Sequence, residues 1–135
     1  MATTTATLAI NSADIMGGQV VNITKSSSLT QADSTVGLVN TTGLAIRTLK
    51  ATSAEILVDY STVLNDDDQQ AAKMYIKNTS TSSTQFVTIT INSVEIARLY
   101  GGDFAYFPYP NSADRDVTAT PSTTGEVTLE YMAIF

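Results

Sequence analysis

The chain has 135 residues and a mass of 14.3 kDa, the size of one domain, which excludes a two-domain enzyme. It contains no Cys and no His, so thiol or imidazole relays and zinc sites built from nitrogen or sulfur are excluded as well. Seven Lys and Arg against thirteen Asp and Glu give a net charge of −6, the wrong sign for a phosphate-binding surface, and no nucleic-acid partner is expected.

Leu, Ile, Val and Phe make up 33 of the 135 residues, enough for a core without disulfides. The 22 Thr and 13 Ser lean the composition towards strands and turns. In chain order, the opening Met1 to Thr7 is polar and uncharged. Neither signal peptide nor membrane span is expected there, and the protein is expected to stay soluble with no membrane partner. Residues 1–10 are read as an N-terminal arm, with Met1 to Thr5 mobile in an isolated molecule, and residues 11–135 as one domain. Short apolar runs follow at Ala6 to Ile10 and Gln19 to Lys25. The Ser, Thr and Gly rich stretch Thr24 to Thr42, with weak periodicity, reads as a long loop. Runs at Leu44 to Ala51 and Glu55 to Tyr60 lead to Asp66 to Lys73, the one candidate helix, where acids precede Gln and Ala and a Lys closes the segment.

Asp66, Asp67 and Asp68 are hard oxygen ligands in a row, which brings Ca²⁺ to mind. Calcium loops alternate their ligands around a Gly, however, and consecutive side chains diverge. A solvated turn is expected, with no metal and no cofactor. Further along, Ala72 to Asn78 and Gln85 to Ile91 each alternate, joined by a hydroxyl-rich loop of hairpin type. Val94 to Tyr100 and Phe104 to Phe107 follow. The clearest strand is last: Val127, Leu129, Tyr131, Ala133 and Phe135 alternate with Thr128, Glu130, Met132 and Ile134. Its second face turns apolar at Met132 and Ile134, which predicts cover on both sides. Short strands about ten residues apart with turn chemistry between them read as a sandwich or barrel.

Five of the ten aromatic residues fall between Tyr100 and Tyr109, interleaved at the end with Pro108 and Pro110. Alternation separates Phe104 and Tyr106 from Phe107, so one face belongs to the core and the other to a partner. Prolines cannot donate to a ladder, which ends the strand there or puts it on an edge. Tyr106, Phe107, Tyr109, Met132 and Ile134 are the candidate partner-binding residues, Phe107 and Tyr109 foremost. The alternative is that Phe107 caps the core and the partner meets Met132 and Ile134. No pair among the thirteen carboxylates is selected for acid–base work, no catalytic residue is assigned, and an enzyme is not expected. The sequons at Asn22, Asn40 and Asn78 read as chance products of a Thr-rich chain.

The C-terminal half carries a resemblance. AAKMYIKNTSTSSTQFVTITI, then EIARLYGGDFAYFPYP, then VTATPSTTGEVTLEYMAIF resemble small virion structural proteins of tailed bacteriophages, notably phages of cyanobacteria. There a K-x-Y-I-K-N-T-S strand leads to a G-R-L-x-x-G-D-x-x-x-x-P turn and a closing V-T-P-S … E-Y strand. Ala97 departs from the pattern, standing where Gly is usual before Arg98. The MATTTATLAI opening and the stretch from Thr42 to Arg47 are similar more loosely. The resemblance implies an all-β, jelly-roll-like antiparallel β-sandwich with at most one short helix. It also implies a non-enzymatic capsid decoration (cement) protein that binds the phage major capsid protein. Such a protein would be a homo-oligomer, with a trimer favoured by threefold shell positions, sitting on the capsid surface after assembly in the host cytoplasm. The alternative is a tail or head-fibre module that binds a host-surface receptor or glycan.

Overall fold

The computed structural model describes the chain except at residues 1, 2, 16, 32, 33, 39, 51, 64–69, 112–114 and 123–125, and except for the side chains at 62, 63, 70, 71 and 111. The chain divides into two units, Met1–Val39 and Asn40–Phe135. The expected boundary between residues 10 and 11 therefore falls inside a strand. Residues 4 and 5 of the expected arm also belong to that strand.

The first unit is a two-stranded antiparallel ribbon of β1 (Thr4–Ile15) and β2 (Gln19–Leu29). Gly17 and Gly18, with φ of 75° and 101°, supply the left-handed backbone of the connection. The Ser26, Ser27 and Ser28 run, read from sequence as loop, lies in β2 because it pairs with Thr7, Ala6 and Thr5. Cross-strand pairing overrides the turn preference of serine here. Directly opposed residues share a face. Leu8 with Lys25, Ile10 with Ile23, Ala6 with Ser27 and Ser12 with Val21 make one side; Thr5 with Ser28, Thr7 with Ser26 and Asn11 with Asn22 make the other. The ribbon is thus apolar on one face and polar on the other.

Among the described residues the second unit holds eight strands: β3 (Ala45–Leu49), β4 (Glu55–Val58), β5 (Gln70–Asn78), β6 (Phe86–Ile91), β7 (Val94–Tyr100), β8 (Phe104–Asn111), β9 (Val117–Pro121) and β10 (Val127–Ile134). A single helical turn, α1 (Tyr60–Val63), lies between β4 and β5. One sheet has the order β3-β10-β5-β8 and the other β4-β9-β6-β7, all antiparallel. The pairs β3·β10, β4·β9, β5·β8 and β6·β7 are those of one long hairpin. Its tip is the β6–β7 turn at Asn92 and Ser93, both at positive φ. Successive pairs alternate between the sheets, and β10·β5 and β9·β6 close them, which is jelly-roll order.

The inner faces of these two sheets make the core. Leu49, Met74, Ile76, Val87, Ile89, Val117, Val127 and Leu129 are all fully buried. Each such side chain contributes roughly 1.5–3 kcal/mol by leaving water. At the β3/β4 opening, Arg47 reaches across: Nη2 meets Glu55 Oε2 at 2.9 Å and Nη1 donates to Ile56 O at 2.6 Å.

Two expectations are corrected here. The helix read over Asp66 to Lys73 does not form at its C-terminal end, because β5 already runs from Gln70 and alternates Ala72 and Met74 into the core. Asp66 to Asp68 lie outside the described residues. The runs at Ala72 to Asn78 and Gln85 to Ile91 are not a hairpin either. They belong to opposite sheets, and β5 takes β10 and β8 as its neighbours.

Candidate docking surface

Side chains that alternate away from the core cover the outer face of the β3-β10-β5-β8 sheet. Registration places them in rows across four strands. Met132, Tyr75 and Tyr106 stand side by side; Ile46, Glu130, Lys77 and Phe104 form the next row; Ile134, Lys73 and Pro108 form another. Ile46 is 71% exposed and Phe104 56%, whereas Met132, Ile134 and Tyr75 are half-buried by their neighbours. Tyr75 Oη donates to Glu130 Oε1 at 2.8 Å. Burial first, and then Glu130, holds the Tyr75 phenol above its usual range; burial alone raises Tyr106 and lowers the Lys73 amine.

The outer face of the β4-β9-β6-β7 sheet has a hydroxyl centre. Thr88, Thr90, Thr118 and Thr120 stand on paired positions there, with the Thr90 and Thr118 hydroxyls hydrogen-bonded. Arg98 lies 4.6 Å over the Phe86 ring and pairs with Glu95. Ile56 and Tyr100 are exposed on the same face, whereas the other sheet sets Ile46, Phe104, Tyr106, Met132 and Ile134 among Lys73, Lys77 and Glu130.

Of the five residues singled out from sequence, Tyr106, Met132 and Ile134 come together on this outer face. Phe107 and Tyr109 do not. Both alternate inward on β8: Phe107 packs against the core, and Tyr109 belongs to it at 3% exposure. β8 pairs with β5, aligning Phe107 with Met74 and Tyr109 with Ala72, which turns both away from this outer face. Ile46, Tyr75 and Phe104 were missed. Their alternation was legible, but which strands are neighbours is set by pairing that one sequence does not reveal.

Of the two alternatives that its prolines left open, β8 takes the edge: it runs through Pro108 and Pro110 at the side of its sheet. Pro108 and Pro110 carry no N–H, which blunts that end of the strand against strand addition. Between the edges of β7 and β8 runs an open groove of about 770 Å³ lined by Val94, Ile96, Phe104, Tyr106, Phe107 and Arg115, among others.

Among the described residues, no three Asp or Glu side chains group as cation ligands. No protein-family model, curated protein or solved structure matches the chain.

Proposed function

We propose that this chain is a non-enzymatic structural protein of a phage virion, a capsid decoration protein that binds and stabilises the shell of major capsid protein. The observation that carries the reading is the outer face of the β3-β10-β5-β8 sheet, where Ile46, Phe104, Tyr106, Met132 and Ile134 lie on one side of the sheet among Lys73, Lys77 and Glu130. Exposed apolar residues gathered among polar ones suit a protein contact. The resemblance of the C-terminal half to small virion proteins supplies the particle. In this reading the protein is a homo-oligomer, with three copies favoured, because a threefold assembly meets three equivalent shell subunits at once and gains by effective concentration.

A second reading is favoured by the groove between β7 and β8. Its aromatic wall, with Arg115 at one end, suits a host-surface receptor or glycan bound by a tail or head-fibre module. Copy number separates the two. Quantitative mass spectrometry of purified virions is expected to give hundreds of copies per particle; a handful would place the protein in the tail or a fibre. Capsids lacking the protein should bind it when it is added back, and the paired substitutions Phe104→Ser and Met132→Ser should reduce occupancy. Unchanged occupancy would remove the outer face as a protein-docking surface.

A further inference from the structure

The groove between β7 and β8 has two ends of different chemistry. β9 pairs Val117 with Ile91, which brings Arg115, two residues earlier, to the end of the groove where Asn92 stands. Phe104 and Tyr106 line it further along, 56% and 40% exposed, and Val94 and Ile96 on the β7 wall are exposed as well. Measured along β8 from Phe104 to Pro110, the groove runs for roughly 20 Å at the rise of a strand.

Its charge is as uneven as its surface. Of the three arginines, Arg47 is held by Glu55 and Arg98 by Glu95, whereas Arg115 has no ion pair or hydrogen bond among the described residues. No described acid lines the groove. The acids that neighbour its walls in sequence are engaged elsewhere: Glu95 pairs with Arg98, Asp103 accepts from Tyr100 N at 2.9 Å, and Asp116 accepts from Tyr60 N at 2.9 Å. Asp114 lies outside the described residues. A lone guanidinium in an otherwise uncharged groove suits a lone anion, because its planar fork meets a carboxylate with two parallel hydrogen bonds.

We infer that this groove takes a sugar chain carrying a single acidic sugar, with ring faces against Phe104 and Tyr106 and the carboxylate on Arg115. The inference rests on the second reading above, the groove as a receptor or glycan site, and names the chemistry of its ligand.

Shape and charge select this occupant over the others. Sites for compact small molecules enclose most of the ligand, whereas a groove open along its length suits a chain that passes through. A peptide chain would add to the strand edges, and both are blunted. Pro108 and Pro110 carry no N–H, Ile96 is skipped in the pairing of β7 with β6, and Asp103 takes both the N–H and the C=O of Tyr100. A single-stranded nucleic acid or a polyuronate presents an anion at each step, against one cation in the groove of a chain with net charge −6. A mostly neutral sugar chain meets none of these obstacles. Its C–H faces stack on exposed aromatic rings, and its one acid matches Arg115.

The test exposes the full-length chain to a panel of immobilised oligosaccharides in matched pairs, each singly acidic chain beside its neutral methyl ester. Acidic members are expected to bind roughly tenfold tighter than their esters, or more. For the tightest pair, Arg115→Gln should remove the preference and leave the weaker binding of the ester in place, while Phe104→Ser should weaken both forms. Lys50→Gln takes the same charge from outside the groove and should change neither. Equal binding of acids and esters overturns the inference and leaves the groove a site for neutral glycans. A preference that survives Arg115→Gln overturns it too, since the acid is then read elsewhere. If no member of the panel binds, the glycan reading of the groove fails with it. Oligothymidylate that binds as tightly as the acidic sugars, and is released by Arg115→Gln, would show a different class of anionic chain and would also overturn the inference.

Discussion

Tyr109 Oη is buried without a hydrogen-bond partner among the described residues, and burial, with Asp116 adding to it, pushes the phenol up to about 12. Its folded-state value is raised above the ordinary 10, so the proton is held more tightly when the protein is folded. The resulting stability is fully present below pH 10 and is lost as pH rises through about 12. A shift of this size corresponds to roughly 2–3 kcal/mol. Tyr109→Phe removes the lone hydroxyl and keeps the ring, and is expected to leave stability unchanged or raise it by up to about 1 kcal/mol at pH 7. It should also flatten the loss between pH 10 and 12. Urea melts of both proteins at pH 7, 10 and 11.5 check the sign; a Phe variant clearly less stable at pH 7 would show that the hydroxyl has a partner. Asn78 is the contrasting case. It is fully buried, its Nδ2 donates to Leu99 O at 3.1 Å, and its Oδ1 accepts from Ser80 N at 3.0 Å and Ser80 Oγ at 2.6 Å. The sequon it opens is a structural joint. Asn78→Ala strands these partners and is expected to cost about 2–4 kcal/mol, read as a shift in the urea midpoint with unchanged slope.

At the scale of elements, the same joint fixes where β7 turns into β8. Gly102 N donates to Asn78 O at 2.8 Å, and Asn78 N donates to Asp103 O at 2.9 Å. A Cβ at Gly101 would collide with the carbonyl oxygens of Ser80 and Ser82, so glycine is required there by close approach. Gly101→Ala is expected to destabilise by about 1–3 kcal/mol and to loosen the β7–β8 turn. Loss of amide protection at Asp103 in hydrogen exchange would register it, whereas Gly43→Ala has open space to fill and strains only its φ of 75°. β10 and β6 were legible because their own alternation specifies a face. β2 beyond Lys25 was not, since its Ser run becomes strand only through Thr5, Ala6 and Thr7 opposite. The outer sheet face was legible by halves for the same reason. Met132 and Ile134 announce an apolar second face on their own strand, but their neighbours Tyr75 and Tyr106 arrive from 57 and 26 residues upstream of Met132, through register alone.

For the molecule as a whole, the two units differ in what holds them. The jelly roll closes a continuous core over the eight described strands, while the ribbon has the single ladder of β1 and β2. Opening free energies should therefore be unequal, with β5 and β10, central in their sheet, reporting global unfolding and β1 and β2 opening far more cheaply. Hydrogen exchange on the full-length chain is expected to show amides of β1 and β2 exchanging far faster than those of β5 and β10. The two ribbon strands should open together, since they share each cross-strand bond. A two-stranded ribbon is marginal in water, whereas β5 and β10 each pair on both sides and bury Met74, Ile76, Val127 and Leu129. Ribbon amides as slow as those of β5 would show that the ribbon is held as firmly as the jelly roll and would rule out unequal opening.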